Sequence, residues 1–579
     1  MCGIAGVLGR TVEAGAAGPL IATLAHRGPN GIRTEDGPGF SVGHARLSII
    51  DLEGGWQPMH GAGSTVIGNG EIYNYLELTA EFGLAGALST ASDFEPLLHL
   101  YAAEGSDAFE RLRGMFGLCL IGKDDCHWLA RDPFGIKPLY WRVDGGRLAF
   151  ASEPRALFAA GVSRRIDTTH AEELLALGYT LGDGSIFRDI CRLGPGRTLC
   201  FGRKGADPEL GEVGGGWLTL SPEPFDSDNA AVDALDAVLE DSVRVHQRSD
   251  VPYGLFLSGG IDSTSIATVM ARLNTRPVIA FTCGFDAEGA RDERAQAERL
   301  ARALDLDWRE TSFDEGDFWR ILPEVARALD DPTTDYAVLP TYKLAEAAKG
   351  TLTVILTGEG GDELFAGYGR YRRAMRPGWL GGRPSQPQVH APFLRDRGSG
   401  ALDRWRHTAH EWAGTYGSTA LQGAQIADIK TWLHADLLLK LDRCLMAHGL
   451  EGRTPFLDDS VARFAFRLPD RMKVRGKFGK WILRRWLERA CPAAEPWAKK
   501  KGFTVPVSSW IAPRAAELGP RIADHPGVAE LCDTDAVRAV FSDERHEKSR
   551  WPLLFYAVWW SIHVDQAEPT AALRALIEP

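Results

Sequence analysis

A cysteine stands directly behind the initiator methionine, in Met1-Cys2-Gly3-Ile4-Ala5-Gly6. Removal of the methionine would make Cys2 the first residue and set a free α-amine beside its thiol. A thiol titrates near about 8.5 and an α-amine near about 8, so the amine can take the thiol proton and make a nucleophile without a histidine. A second chemical signal lies in the other half of the chain. There the apolar run YGLFL (253–257) is followed by Ser258-Gly259-Gly260-Ile261-Asp262-Ser263 and then by the apolar run TSIATVMARL. A glycine turn between a strand and a helix is a phosphate-binding arrangement: the glycines let the backbone approach an anion, and the helix start points free N–H groups at it. LTVILTGEGGDE (352–363) repeats the strand-then-glycine-turn pattern with Gly358, Gly360 and Gly361.

These signals need scaffolds of different kinds. Around the second and third, PVIAFTCGF reads as a strand and DERAQAERLARALDL as a helix, so the order is β-α-β-α-β. That order predicts a doubly wound parallel sheet with ligands beyond the C-terminal ends of its strands, where both glycine turns lie. No G-x-x-x-x-G-K-[ST] pattern occurs, which excludes a Walker-type nucleotide site. Around Cys2 the chain reads instead as short strands split by Gly and Pro, among them CGIAGVL, SVGHARLSIID (41–51), STVIGNGEIYN (64–74) and GMFGLCLIGK (114–123). Strands so close together pair antiparallel. Helical periodicity appears at 93–103 and after Ser152. The Gly-, Pro- and acid-rich stretch near 211–228 reads as a linker between a domain at 1–210 and another at 229–579, the second opening on an amphipathic helix capped by Asp228 or Asn229.

Composition narrows the function. The 579 residues are 44% hydrophobic and 25% charged, as in an ordinary globular protein. With 77 acidic against 65 basic side chains the net charge is −12, which argues against a nucleic-acid or anionic-membrane partner. With no apolar run of spanning length and no signal-peptide pattern, the expected location is cytoplasmic. Nine scattered cysteines without a C-x-x-C pair suggest neither a disulfide framework nor zinc, and all except Cys2 read as bystander thiols.

Taken in order, MCGIAGVLG, AHRGPNG (25–31), GHARLSIID, NGEIYN (69–74), SDFE (92–95), GMFG and ARDPFGIKPLYW (130–141) resemble the glutaminase domain of class II glutamine amidotransferases. Within that superfamily the chain looks most similar to glutamine-hydrolysing asparagine synthetases. The resemblance implies an N-terminal-nucleophile αββα sandwich in which Cys2 frees ammonia from glutamine. Asn69 and Gly70 correspond to its oxyanion hole, Arg46 to the guanidinium that grips the α-carboxylate of glutamine, and Glu71 and Asp93 to the residues facing its α-ammonium. SGGIDS resembles the loop of ATP pyrophosphatases, and TGEGGDELFAGY (357–368) matches a synthetase block. By that resemblance ATP binds at Ser258, Gly259, Gly260, Asp262, Ser263, Gly358, Gly360 and Gly361, Asp262 and Asp362 hold Mg²⁺, and Glu359 meets the attack of ammonia on an acyl-adenylate. LDRCLMAHGLEGRTPFLDD (441–459) and KKKGFTVPVSSWI (499–511) resemble further family blocks. In the basic run RMKVRGKFGKWILRR (471–485), Lys480 and its rival Lys477 are candidate pyrophosphate clamps.

One block departs from the family. LDDPTTDYAVLPTY (329–342) carries Asp331 where a Glu is usual and Ala337 where a Ser is usual, changes that would reshape a small polar pocket. The expected activity is therefore amidation of a small carboxylic acid with glutamine and ATP, aspartate being the default acid. Another small carboxylate of specialised biosynthesis is the alternative. An intramolecular amide ligase of the β-lactam synthetase type would not need the thiol, and a tRNA-modifying pyrophosphatase would need a basic RNA surface. The resemblance also allows a homodimer. The loop at 375–400, rich in Pro, Gly and Arg, reads as a surface loop or lid.

Overall fold

The computed structural model describes the chain except for residues 1, 124–125, 203–207, 287–292, 377–378, 380–381, 383–384, 499–504 and 579. Parts of the expected loop at 375–400 and of the block at 499–511 thus lie outside the described residues. Two six-stranded sheets build the first half. In the first, Gly3–Gly9 lies between Arg147–Ala151 and Phe40–Ala45; in the second, Ser64–Ile72 lies between Met59–Gly61 and Gly114–Ile121. Every pairing in both is antiparallel.

Side-chain alternation with period two decides how the layers stack. Ile4, Leu8, Val42 and Phe150 of the first sheet meet Ile67, Cys119 and Leu129 of the second in one apolar layer. Their neighbours face outward: Ala5 and Ala45 pack on Leu20, Ile21 and Leu24 around helix Ala17–Ala22, and Val66 and Leu118 on Leu97 and Leu98 of helix Glu95–Glu104. Helix, sheet, sheet and helix therefore stack as the αββα sandwich expected from the resemblance.

The second half is built on a five-stranded, wholly parallel sheet ordered Asp307–Phe313, Ile279–Phe285, Tyr253–Phe256, Val354–Leu356, Glu451–Arg453. Sequence order reverses between Tyr253–Phe256 and Val354–Leu356, which pair in register with Leu255 opposite Leu356. That is the switch point where open α/β sheets bind ligands, and both glycine turns leave the sheet there. Among the described residues no helix is long and apolar enough to cross a membrane.

Several local expectations change. Helix Asp228–His246 is capped by Ser227, whose hydroxyl accepts from the Ala230 N–H at 3.1 Å, rather than by Asp228 or Asn229. The stretch read as a linker carries Trp217, fully buried and stacked on Phe134 at 4.9 Å. Cys126 and Cys200 are no bystanders: they form a disulfide between the adjacent strands Cys126–Arg131 and Arg197–Gly202, with Cα atoms 6.0 Å apart.

The two halves share buried charge. Arg27 reaches Glu153 at 2.7 Å and Asp442 at 2.8 Å, and Arg443 reaches Glu153 at 3.2 Å and Asp330 at 3.1 Å. Such pairs cost much desolvation and fail badly when one partner is removed, so they fix one docking geometry.

Candidate functional site

At the thiol, Cys2 leads into strand Gly3–Gly9 and is partly buried. Its Sγ lies 3.8 Å from the Leu47 carbonyl, and its N–H donates to Asn69 Oδ1 at 3.1 Å. Burial pushes the thiol up in pKa, with the backbone at Leu47 and the Arg46 guanidinium among the influences pulling it back. The carboxamide of Asn69 is thereby oriented, and its buried Nδ2 has no hydrogen-bond partner. Gly70 follows with φ +150°, and a Cβ there would lie 1.9 Å from the Met115 carbonyl, so the strand can pass only as glycine.

Arg46 is almost wholly buried. Its Nη2 donates to the Asp51 carbonyl at 2.6 Å and its ring-like plane faces Trp56 at 4.8 Å, while buried Nη1 has no partner. Two N–H groups without partners, on Asn69 and Arg46, in a region that also holds a thiol, are costly unless an oxygen-bearing ligand meets them. Asp93 accepts from the Ile72 N–H at 2.8 Å, and burial lifts its carboxyl to about 7. Glu71 is pinned by one oxygen, Oε2 accepting from Arg453 Nη2 at 3.0 Å, and keeps buried Oε1 without a partner. Sequence reasoning missed Arg27, whose Nε donates to the Cys2 carbonyl at 3.1 Å; a buried arginine in AHRGPNG looks like any other until its partners are known.

At the switch point the two glycine turns press together. A Cβ on Gly361 would lie 2.5 Å from Asp262 Oδ1, and one on Gly358 would lie 2.8 Å from Asp262 Cβ. Ser258 and Ser263 share a hydroxyl contact at 3.0 Å, and helix Ile261–Leu273 starts at Gly260 without a side-chain cap. Lys480 Nζ joins the loops by pairing with Asp262 and, at 2.5 Å, with Asp362. Lys480 has φ +53°, uncommon for a residue with a side chain and a form of strain that clusters at functional sites. Lys477 is not brought to this cluster by any described contact; it lines a separate surface cavity with Asp228 and Trp497.

Burial raises the Glu359 carboxyl, opposed first by Lys440, with Asp335, Asp362 and Asp262 adding to the rise. Lys440, also missed from sequence, pairs with Asp335 at 2.8 Å. A further unforeseen cation is Arg484, close enough to sense both Asp262 and Asp362. Among the described residues no three His, Cys, Asp or Glu side chains gather to hold a metal. A Mg²⁺ ion needs no such cage, since one or two carboxylates plus phosphate oxygens and water suffice, so Asp262 and Asp362 fit it.

Asp331, the residue standing for the family's Glu, does not face this cluster. It is fully buried at the junction of the halves, accepting from the Tyr140 hydroxyl at 2.8 Å and from Arg192 Nε at 2.6 Å.

An αββα sandwich with a leading cysteine, joined to a parallel sheet with two glycine turns at its switch point, defines a two-part α/β enzyme of the glutamine-dependent ligase class. Comparison with known proteins agrees. A glutamine amidotransferase domain family matches residues 1–210, and the asparagine synthase family matches residues 234–563. A Mycobacterium tuberculosis (strain ATCC 25618 / H37Rv) protein with a provisional name as an asparagine synthetase (glutamine-hydrolyzing) is 34% identical, covering 98% of each chain. Asparagine synthetase (glutamine-hydrolyzing) 1 of Bacillus subtilis (strain 168) is 31% identical over 98% of this chain and 97% of its own. Asparagine synthetase B (glutamine-hydrolyzing) of Escherichia coli (strain K12) is 30% identical over 85% and 79%. The chain belongs to the asparagine synthase family and is an ATP-dependent ligase.

Proposed function

We propose that this protein amidates a carboxylic acid through an acyl-adenylate, with ammonia taken from glutamine by residues 1–210 and adenylation carried out by residues 229–579. The single observation that carries the coupling is helix Leu438–Met446, which serves both sites. Its Lys440 pairs with Asp335 beside Glu359, and its Asp442 holds Arg27, which grips the Cys2 carbonyl.

In the first half-reaction Cys2 Sγ attacks the carboxamide carbon of glutamine. The oxyanion accepts from Asn69 Nδ2 and the Gly70 N–H, ammonia departs, and water hydrolyses the thioester to glutamate. Arg46 Nη1 meets the substrate α-carboxylate, and Glu71 and Asp93 meet its ammonium. In the second, an oxygen of the acid attacks the α-phosphorus of ATP, breaking the bond to pyrophosphate. Ammonia then bonds to the acyl carbon, AMP leaves with the electron pair, and Glu359 takes the surplus proton. Lys480 and Arg484 offset phosphate charge. Mg²⁺ held by Asp262 and Asp362 would neutralise it further.

Aspartate is the acid that the relatives' names point to. The alternative, another small carboxylate, is favoured by Ala337 and by the commitment of Asp331 to Tyr140 and Arg192. Incubation with glutamine, Mg·ATP and candidate acids should give AMP and glutamate in equal amounts, with a product in which NH₂ replaces OH. AMP without glutamate would instead indicate an intramolecular ligase and refute the coupling.

A further inference from the structure

Beside the adenylating cluster lies a cavity of 360 Å³ to which both halves contribute. Gly178 and Tyr179, following helix Thr168–Leu177, form one wall; the Thr334 N–H donates to the Gly178 carbonyl at 2.9 Å and brings Thr334, Asp335 and Tyr336 to the other. The third wall is the π-helical stretch Ile429–Leu437, which presents Trp432 and Asp436. Nine residues of π-helix are unusual, since such turns mostly occur singly and at functional sites. The geometry here is locked: Trp432 Nε1 donates to the Asp436 carboxylate, which also accepts from the Thr333 hydroxyl.

The cavity wall is continuous with the adenylating loops. Asp335 lines it and holds Lys440 at 2.8 Å, and Lys440 and Asp335 both act electrostatically on Glu359. On the other side the Trp432 ring lies 5.2 Å from that of Tyr368, whose hydroxyl donates to Glu363 Oε1 at 2.7 Å, one residue beyond Asp362.

Its size exceeds what aspartate alone needs. Of the two cations that line it, Arg370 is paired with Asp428 at 2.9 Å and lies over Trp432 at 4.7 Å, and Lys548 stands at the outer end shared with a second cavity. Four aromatic side chains, Tyr179, Tyr336, Trp405 and Trp432, stand among the charged residues of the walls. Buried Trp405 Nε1 has no partner, and Tyr336 is 41% exposed although it is a large ring. A volume of 360 Å³ lies within the range of about 300 to 1,000 Å³ that suits molecules of drug size. Outward, Pro387, Gln388, His390 and Lys548 are shared with a second cavity of 670 Å³, which leaves room for a longer far end.

We propose that the acid amidated here is larger than aspartate and carries an aromatic body, which lies against Trp432 and Tyr336 while its carboxylate points to Lys440 and Glu359. The inference rests on the adenylating reading above and names the substrate class of that site. The bond changes are unchanged: the aryl acid's oxygen displaces pyrophosphate from ATP, and ammonia displaces AMP.

The test measures pyrophosphate release with ammonium chloride as nitrogen source and aspartate, glutamate, tyrosine, tryptophan, 3-phenylpropanoate or indole-3-acetate as acid. An aryl acid should exceed aspartate in kcat/KM by at least about tenfold, in line with the worth of one well-packed ring. Tyr336→Ala, at an exposed position that folding does not require, should raise KM for that acid about tenfold with little change in kcat. Trp432→Phe should retain turnover that Trp432→Ala loses. If aspartate is the best acid, or if Tyr336→Ala leaves KM unchanged, the inference falls while the ligase reading stands. If no acid releases pyrophosphate, the adenylating reading falls and takes this inference with it.

Discussion

The two reactive regions solve opposite electrostatic problems. Around Cys2, Asn69 Nδ2 and Arg46 Nη1 are buried donors without protein partners, so both favour a ligand that brings oxygens. At the switch point Lys480 already pairs with Asp262 and Asp362, so one cation offsets part of the charge of two carboxylates before any ligand arrives. A preorganised donor set needs no rearrangement when an oxyanion forms. On the proposed reading the self-paired cluster would exchange partners, Lys480 turning to phosphate and Asp262 and Asp362 being left to hold a cation. The donor set of the first region would then serve an oxyanion without such an exchange.

Removing the thiol cuts hardest across this contrast. Cys2→Ala should lower glutamate release by at least about 10⁴-fold, as loss of a nucleophile does elsewhere, while AMP formation from ammonium salt persists. Loss of both activities would mean that the two regions are not separable. Lys480→Met comes next and tests the self-paired side. AMP formation should fall about 10³-fold, with glutamate release from glutamine still measurable. Undiminished AMP formation would remove Lys480 from the phosphate site and return attention to Lys477. Asn69→Ala, on the donor side, should cost about 10² to 10³ in the kcat of glutamine hydrolysis. A change confined to KM would instead make Asn69 a substrate-binding group.

Legibility in the sequence follows the same division. Turns and nucleophiles are local signals, so Cys2, the two glycine turns, the antiparallel first half and the parallel second half could all be read from residue types and spacing. Elements whose character comes from distant partners could not. Strand Asp307–Phe313 is charged and half exposed because it is the sheet edge, and strand Glu451–Arg453 contains no apolar residue because its Glu and Arg are spent on buried pairing with each other and with Glu71. Trp217 sits in a glycine-rich stretch whose composition hides how completely that one ring is buried. Arg27 lies in a recognisable block and Lys440 directly before one, but only the fold reveals that one helix joins them, since their partners stand 105 and 415 residues away.

The smallest effect separates the donor-rich pocket from its acidic rim. Burial raises the Asp93 carboxyl to about 7, with no full compensation from its backbone hydrogen bonds. In the free enzyme that side chain is therefore largely protonated below pH 7 and charged above it, and only the charged form attracts the ammonium of glutamine. For hydrolysis of glutamine, kcat/KM should rise with pH and level off above about 7, because this parameter reports free-enzyme ionisations. In Asp93→Asn the inflection near 7 should vanish. The same shift sets a stability trend: a folded pKa above the unfolded value of about 3.9 stabilises fully below that value and loses its contribution as pH climbs through 7. Asp93→Asn should therefore flatten the fall in Tm between pH 4 and about 7. A wild-type profile that keeps its inflection in the variant would assign it to another group, and the acidic rim would then play no part in recognising glutamine.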